Sequence, residues 1–490
     1  MNVVDAIRDI ARARPRHPAI LEGARAEPGQ GARAAGDVAI DYATLVARVE
    51  SRADALVRAG VTRGERIGLV ARQGAGFIEA ALAILAADAC FVPIPDGTAG
   101  AALDEAVRES ALHGVVEESE GFALRRVDGA RACGEAGIDG EGERAFRALH
   151  PAYLRFTSGT TNERKGVVVG HEAVAARLAN ANRALGIGPE DRILWLLPMA
   201  HHFLVSILLY LRAGATVLLP ASTFPRDVLA LAARARATVF YASPYHYRML
   251  ASDDSGVALD GVRLAVSTAD GLRAEVARAF ALRFGIPLVQ ALGIIEVGLP
   301  VVNAASAAAK PEALGRPGAD YDVWLRAEDG SRIEPGASSP EHTGEICIRG
   351  SGLFDAYLRP WLPAARAIEP DGFRTGDQGY FDADGDLHLA GRRANRINMA
   401  GMKFFAEEVE AVLDAHPGVR VSRVFAKEHA QLGQIPVAEF VPVEPADAPD
   451  RRALTAHCRA RLAAYKIPRE FTPVAEIAMT PTGKVRRAAR

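Results

Sequence analysis

Four cysteines in 490 residues, Cys90, Cys133, Cys347 and Cys458, stand far apart and form no CxxC pair, so neither a zinc site nor a disulfide framework is written into the chain. A reducing cytoplasm suits such a protein. Long apolar runs are missing too: none approaches the ~18 residues of a membrane span. The opening Met-Asn-Val-Val-Asp-Ala-Ile-Arg-Asp-Ile alternates charged and apolar residues at helical spacing and lacks the apolar stretch of a signal peptide. Charge of one sign is absent as well. The 58 Lys and Arg residues stand against 60 Asp and Glu, a net charge of -2, which gives no reason to expect nucleic acid. With hydrophobic residues at 49%, the composition is that of a folded chain and excludes a disordered one. The length exceeds one ordinary core, so at least two cooperating units are expected.

What is present is alternation. Leu45 to Ala59 has helical periodicity, Arg66 to Ala71 is a short apolar run, Phe77 to Ala87 is helical again and Cys90 to Ile94 is strand-like, which is the texture of a layered α/β domain. Residues Glu117 to Glu143 are rich in Gly, Glu and Arg without a clear period and read as irregular surface. Alternation resumes after Tyr153, with buried strands predicted at Ile193 to Leu197, Ala215 to Leu219, Val239 to Ala242 and Leu264 to Ser267. Past Gly315 the texture turns to strand and turn. Val323 to Arg326, Gly344 to Arg349 and the turn Asp382-Ala-Asp-Gly-Asp386 before Leu387 predict a β-rich subdomain. The last hundred residues predict a helix at Ala406 to Ala415, strands at Val419 to Lys427 and Val437 to Val443, and a helix at Arg451 to Leu462. This small α+β domain follows a connector at Gly391 to Asn395.

The segment richest in chemistry is Tyr153-Leu-Arg-Phe-Thr157-Ser158-Gly159-Thr160-Thr161-Asn-Glu-Arg-Lys165-Gly166, an apolar strand entering a hydroxyl-and-glycine loop that ends in lysine. Backbone N–H groups, hydroxyls and an ammonium in such a loop can wrap phosphate oxygens. The lysine is followed by Gly166 where a Walker A loop needs Ser or Thr, and the glycine spacing is wrong, which argues against an ordinary P-loop hydrolase.

Here the chain resembles the adenylate-forming superfamily, which includes acyl- and aryl-CoA synthetases, nonribosomal peptide adenylation domains and firefly luciferase. The other motifs follow in order along almost the whole chain: Leu82 to Pro95, Ala291-Leu-Gly293-Ile-Ile-Glu296, Thr375-Gly376-Asp377, Gly391-Arg392, Gly401 with Glu407 to Glu410, and Pro481-Thr-Gly483-Lys484. The resemblance implies a large multi-layer α/β domain over 1–391, closed by the β-rich subdomain, and a small mobile domain over 392–490. It assigns Thr157, Ser158, Gly159, Thr160, Thr161 and Lys165 to the triphosphate of ATP, with Thr160 among the catalytic groups and Gly293 beside the nucleotide. Glu296 would hold Mg2+, whose hardness suits a carboxylate oxygen. Asp377 would accept hydrogen bonds from the ribose hydroxyls with Arg392 assisting. Lys484 would bridge the acid carboxylate and the α-phosphate, an electrostatic task because two anions must meet. Gly401 would lie near a channel for the thiol.

His201, His202, Ser206 and Gly293 are the residues the resemblance sets around the acid. The segment is similar to the Ala-His-Asn-Tyr-x-x-Ser stretch of aryl-acid-activating relatives. No aspartate stands there to pair an α-ammonium, so the expected substrate is a small carboxylic acid without an α-amine, fatty or aryl. The implied acceptor is the thiol of CoA, or the phosphopantetheine of a separate acyl or peptidyl carrier protein. The pattern departs at Leu292, in place of an aromatic beside adenine, at Ile295, in place of Thr or Ser, and at Ala394 and Asn398 near the connector. These departures motivate an alternative, a nucleotide- or acyl-binding relative without catalysis. The presence of Lys165, Glu296, Asp377, Arg392 and Lys484 favours the active enzyme.

Overall fold

The computed structural model describes residues 1–23, 37–127, 138, 140–156, 165–334, 336–479 and 485. Its Cα packing divides the chain into two compact units: residues 1–322 with 349–370, and residues 323–348 with 371–490.

In the first unit the described residues build two large sheets. One carries five neighbouring parallel strands in the order Thr216–Leu219, Arg192–Trp195, Val239–Ala242, Leu264–Ser267 and Leu288–Ile294. Their short apolar runs are buried almost throughout, as a sheet covered on both faces requires. Leu194, Phe240 and Ala265 pack beneath Val228, Tyr247 and Phe280 of the helices on that face. The second sheet places Arg66–Val70 and Cys90–Ile94 in parallel beside Pro151–Phe156, then turns antiparallel through Gly166–Gly170 to Ala356–Tyr357 and the edge strand Leu362–Pro363. The helix Ala75–Ala86 has no polar face: its residues from Phe77 to Leu85 are all buried, so it lies within the layers and not on the surface. Its one acid, Glu79, is paired with Arg48 and Arg52. The N-terminal periodicity appears as the helix Asp5–Ala13.

The predicted strands at Cys90, Val239 and Leu264 are observed with those bounds, and the helix predicted from Leu45 starts three residues earlier, where Asp41 caps it by accepting from the Thr44 N–H. The irregular stretch at 117–143 is less irregular than its composition suggests. It contains the strand Leu124–Arg126, paired with Gly114–Glu117, and the start of a helix at Gly140.

The second unit holds a mainly antiparallel sheet in which Gly344–Gly350 pairs with Phe373–Phe381 and that strand with Leu387–Arg392 around the predicted Asp382–Asp386 turn. Past it, Val419–His429 and Gly433–Pro442 form a long hairpin packed on the helices Ala406–Asp414 and Arg451–Arg459 through Val409, Leu413, Phe440 and Leu454. A hairpin not anticipated from sequence, Arg396–Met399 with Met402–Phe405, turns at Ala400 and Gly401. Both turn residues have positive φ, +51° and +86°, the signature of a two-residue I′ turn. Among the described residues no helix is long and apolar enough to cross a membrane.

Candidate active site

Thr157, Ser158, Gly159, Thr160 and Thr161, with the rest of 157–164, and Lys484 lie outside the described residues. The strands flanking the loop are paired, Phe156 opposite Gly166, and Lys165 stands exposed at the head of the second. Its ammonium lies 4.8 Å from the centre of the Tyr357 ring. Tyr357 is held in place by backbone pairing, opposite Val167, with the Leu358 N–H donating to the Gly166 carbonyl at 2.7 Å. Its hydroxyl donates to Oε1 of Glu296 at 3.2 Å.

Glu296 follows the strand Leu288–Ile294, beyond the carboxyl end of the parallel strands, where α/β sheets bind ligands. Its main-chain carbonyl accepts from the Phe354 N–H at 2.7 Å and from Nη2 of Arg177 at 3.4 Å. Arg177 is completely buried and also donates to the carbonyls of Ile295 at 3.0 Å and Gly352 at 2.9 Å. It thereby ties three chain segments together around the carboxylate. Burial raises the Glu296 carboxyl above its ordinary value, against the Tyr357 hydrogen bond and the charges of Arg177 and Lys165. Burial also brings Arg177 down to about 10, which leaves it charged at neutral pH. Gly293 is exposed near the end of the same strand, where a Cβ would meet Leu299 and Thr268 at an ordinary 3.5 Å.

His201 and His202 end the short helix Met199–His202. The His201 carbonyl accepts from Nη1 of Arg155. Its imidazole is pushed down to about 4 by burial, with Arg155 adding to the effect, and so is neutral at neutral pH. The His202 ring lies 6.3 Å from that of Trp195, which stacks on Tyr241 at 5.2 Å. Ser206 is fully buried and its hydroxyl donates to the His202 carbonyl, so its proton is spent on the backbone.

In the second unit Asp377 and Arg392 are cross-strand neighbours, joined by an ion pair of 3.2 Å between Arg392 Nε and Asp377 Oδ1. The Asp377 N–H donates to Oγ1 of Thr375 at 3.1 Å. Next to them Gly391 meets Phe405 so closely that an added Cβ would lie 2.7 Å from the phenylalanine Cβ. Asn395 donates to Glu407, and Arg374 and Arg393 converge on Glu345.

Arg177 and Tyr357 were not among the residues read from the sequence. For Arg177 a signal existed: it shares a helical face with Val174, Leu178 and Ala181, all buried, so a cation there falls on a core stripe. Nothing in the short strand of Tyr357 distinguishes it from a packing residue.

A cluster away from this site, Asp88, His150 and His171, brings potential metal-ligand atoms within 4.8 Å of one another. Nδ1 of His171 accepts from the Val3 N–H at 3.1 Å, which puts the imidazole proton on Nε2, the wrong tautomer for a metal ligand. Asp88 is engaged by Asn2 and His150. The cluster fastens the N-terminal residues.

A layered α/β unit with Lys165 and Glu296 gathered about Tyr357 at the sheet's carboxyl end, followed by an α+β domain, has the architecture of an adenylate-forming ligase. Residues 8–358 match the AMP-binding enzyme family and residues 408–484 match the AMP-binding enzyme C-terminal domain. The chain belongs to this family. It is 34% identical over 346 residues to a sulfoacetate–CoA ligase of Cupriavidus necator, an alignment covering 69% of this chain and 66% of the relative. It is 27% identical over 477 residues to a feruloyl-CoA synthase of an Amycolatopsis species, covering 94% and 95%. The fold is that of ATP-bound MatB from Rhodopseudomonas palustris, with a TM-score of 0.81 at 22% identity over 99% of this chain and 98% of that one.

Proposed function

We propose that the protein is an acid–thiol ligase: it activates a small carboxylic acid without an α-amine, fatty or aryl, as its acyl-adenylate and passes the acyl group to a thiol. The observation that carries this reading is the arrangement of Lys165, Tyr357 and Glu296 at the head of the loop strand, in a chain of the AMP-binding family. In the first half-reaction the loop 157–161 and Lys165 bind the triphosphate, and Lys484 draws the acid carboxylate to the α-phosphate. Glu296 suits Mg2+: it offers hard oxygen donors, and a cation would offset the cost of its burial. When bound, the metal neutralises phosphate charge. Asp377 and Arg392 hold the ribose. Neutral His201, with His202 and Ser206, borders the acid. The small domain 392–490 rotates about the Gly391–Asn395 connector of the large domain 1–391 between half-reactions, so that Lys484 withdraws before the thiol attacks.

CoA is the acceptor favoured by relatives named as a CoA ligase and a CoA synthase, and the phosphopantetheine of a separate carrier protein is the other acceptor. Buried free thiols at Cys90, Cys347 and Cys458 suit work in the cytoplasm.

The experiment is a pyrophosphate-release screen over fatty, aryl and amino acids, each with and without CoA. A non-amino acid should give release that CoA stimulates, with an acyl-CoA as product. The departures at Leu292 and Ile295 favour a second reading, a binding protein without catalysis, which predicts silence for every acid while ATP still binds.

A further inference from the structure

We propose that Tyr357 is a positioning residue for the metal–nucleotide: its hydroxyl fixes one oxygen of Glu296 so that the other faces the cation, while its ring seats the Lys165 ammonium. This rests on the reading of Glu296 as the metal ligand.

Two observations converge on it. The hydroxyl of Tyr357 reaches Oε1 of Glu296 at 3.2 Å, and the Lys165 ammonium stands 4.8 Å from the centre of the same ring. One side chain therefore touches both groups assigned to the triphosphate and its metal, from opposite ends of the loop's chemistry. Next, the side chain is held where it is. The backbone of Tyr357 is paired with Val167, the ring packs on Phe354 at 4.5 Å, and Phe354 in turn donates its N–H to the Glu296 carbonyl. The residue is buried, so its orientation is set by packing and not by solvent.

The physical consequence is asymmetry. A free carboxylate rotates and presents either oxygen, whereas one with Oε1 held by a phenol offers Oε2 in a fixed direction, and pre-organised ligands bind cations more tightly. The face of the ring attracts the ammonium electrostatically, which steadies Lys165 without neutralising it. Tyr357 touches neither reacting atom.

The two functions separate by substitution. Tyr357→Phe removes the hydroxyl and keeps the ring, and Tyr357→Leu removes both. The measurement is calorimetric titration of the full-length protein with MnATP, and with ATP in excess chelator, which needs no turnover. The Phe variant should bind MnATP about tenfold more weakly, the order expected for a lost hydrogen bond to a charged group, and metal-free ATP as the parent does. The Leu variant should weaken both. In a Glu296→Gln background, Tyr357→Phe should add nothing further, because the group it positions is gone. Unchanged MnATP binding in the Phe variant, or equal weakening of both nucleotide forms, would overturn the proposal. Glu296→Gln protein that retains the parent's preference for MnATP over metal-free ATP would instead overturn the assignment of the metal to Glu296, and the inference with it.

Discussion

Arg177 shows what a single buried cation does for a site it does not enter. Its guanidinium donates to the carbonyls of Ile295, Glu296 and Gly352, and of these the Glu296 carbonyl also keeps the Phe354 N–H. Arg177→Met should lower stability by about 3 kcal/mol, because unsatisfied buried carbonyls cost ~1–3 kcal/mol each and the chain relaxes in part. Denaturant unfolding measures it, and a loss below about 1 kcal/mol would mean that water replaces the guanidinium. Glu296 belongs to the same scale. Since its carboxyl is raised by burial, metal-dependent nucleotide binding should fall on the acid side at a higher pH than an exposed glutamate would give. The pH dependence of MnATP affinity reports the midpoint, and a midpoint at or below the ordinary glutamate value would contradict the burial argument. At Ala400 the strain is local. A non-glycine residue at φ +51° in an I′ turn carries a left-handed cost, so Ala400→Gly should stabilise the protein by about 1 kcal/mol.

Elements bring these residues together by pairing, and here the legibility of the sequence had a clear limit. Strands with continuous apolar runs, such as Val239–Ala242, were readable because burial on both faces leaves no alternative composition. The two-residue strand Ala356–Tyr357 was not, since its existence depends on Gly166–Gly170, nearly two hundred residues away in the chain. The Arg396–Phe405 hairpin escaped for a related reason: its turn is Ala-Gly and not the Asn-Gly or Asp-Gly that announces such hairpins. Lys165, Glu296, Asp377 and Arg392 were legible because they sit inside recognisable motifs, whereas Tyr357 and Arg177 act through contacts that no local pattern encodes. The approach of the helix His171–Leu185 to Gly352 makes a strict demand. An added Cβ there would lie 2.6 Å from the Arg177 nitrogen and 3.0 Å from the Ala173 carbonyl, at φ +79°. Gly352→Ala should therefore cost at least about 2 kcal/mol and weaken nucleotide binding through Arg177, whereas Gly186→Ala, at a helix end with open space, should cost about 1 kcal/mol and spare binding.

Across the whole molecule, buried neutral histidines set the response to acid. His171 is lowered to about 3, and His113, His201 and His246 to about 4, in each case chiefly by burial. Their unfolded-state values lie near 6.5, so between pH 6.5 and 4 the unfolded chain binds more protons than the folded one. Stability is then full above pH 6.5 and is lost as the pH falls toward the folded values, by at most about 1.4 kcal/mol per pH unit for each histidine. Thermal unfolding across this range should show the fall, and His246→Phe should make it shallower by up to one proton; an unchanged slope would contradict the assignment.

In the proposed function, the motifs spread along the chain form one AMP-producing machine. It is tested most directly by acid-dependent exchange of labelled pyrophosphate into ATP, with parent protein and Lys484→Ala side by side. Exchange is expected with a non-amino acid, with AMP and not ADP as the nucleotide product and a loss of about 10²–10³ in the variant. ADP formation without acid, or exchange that survives Lys484→Ala undiminished, would contradict it.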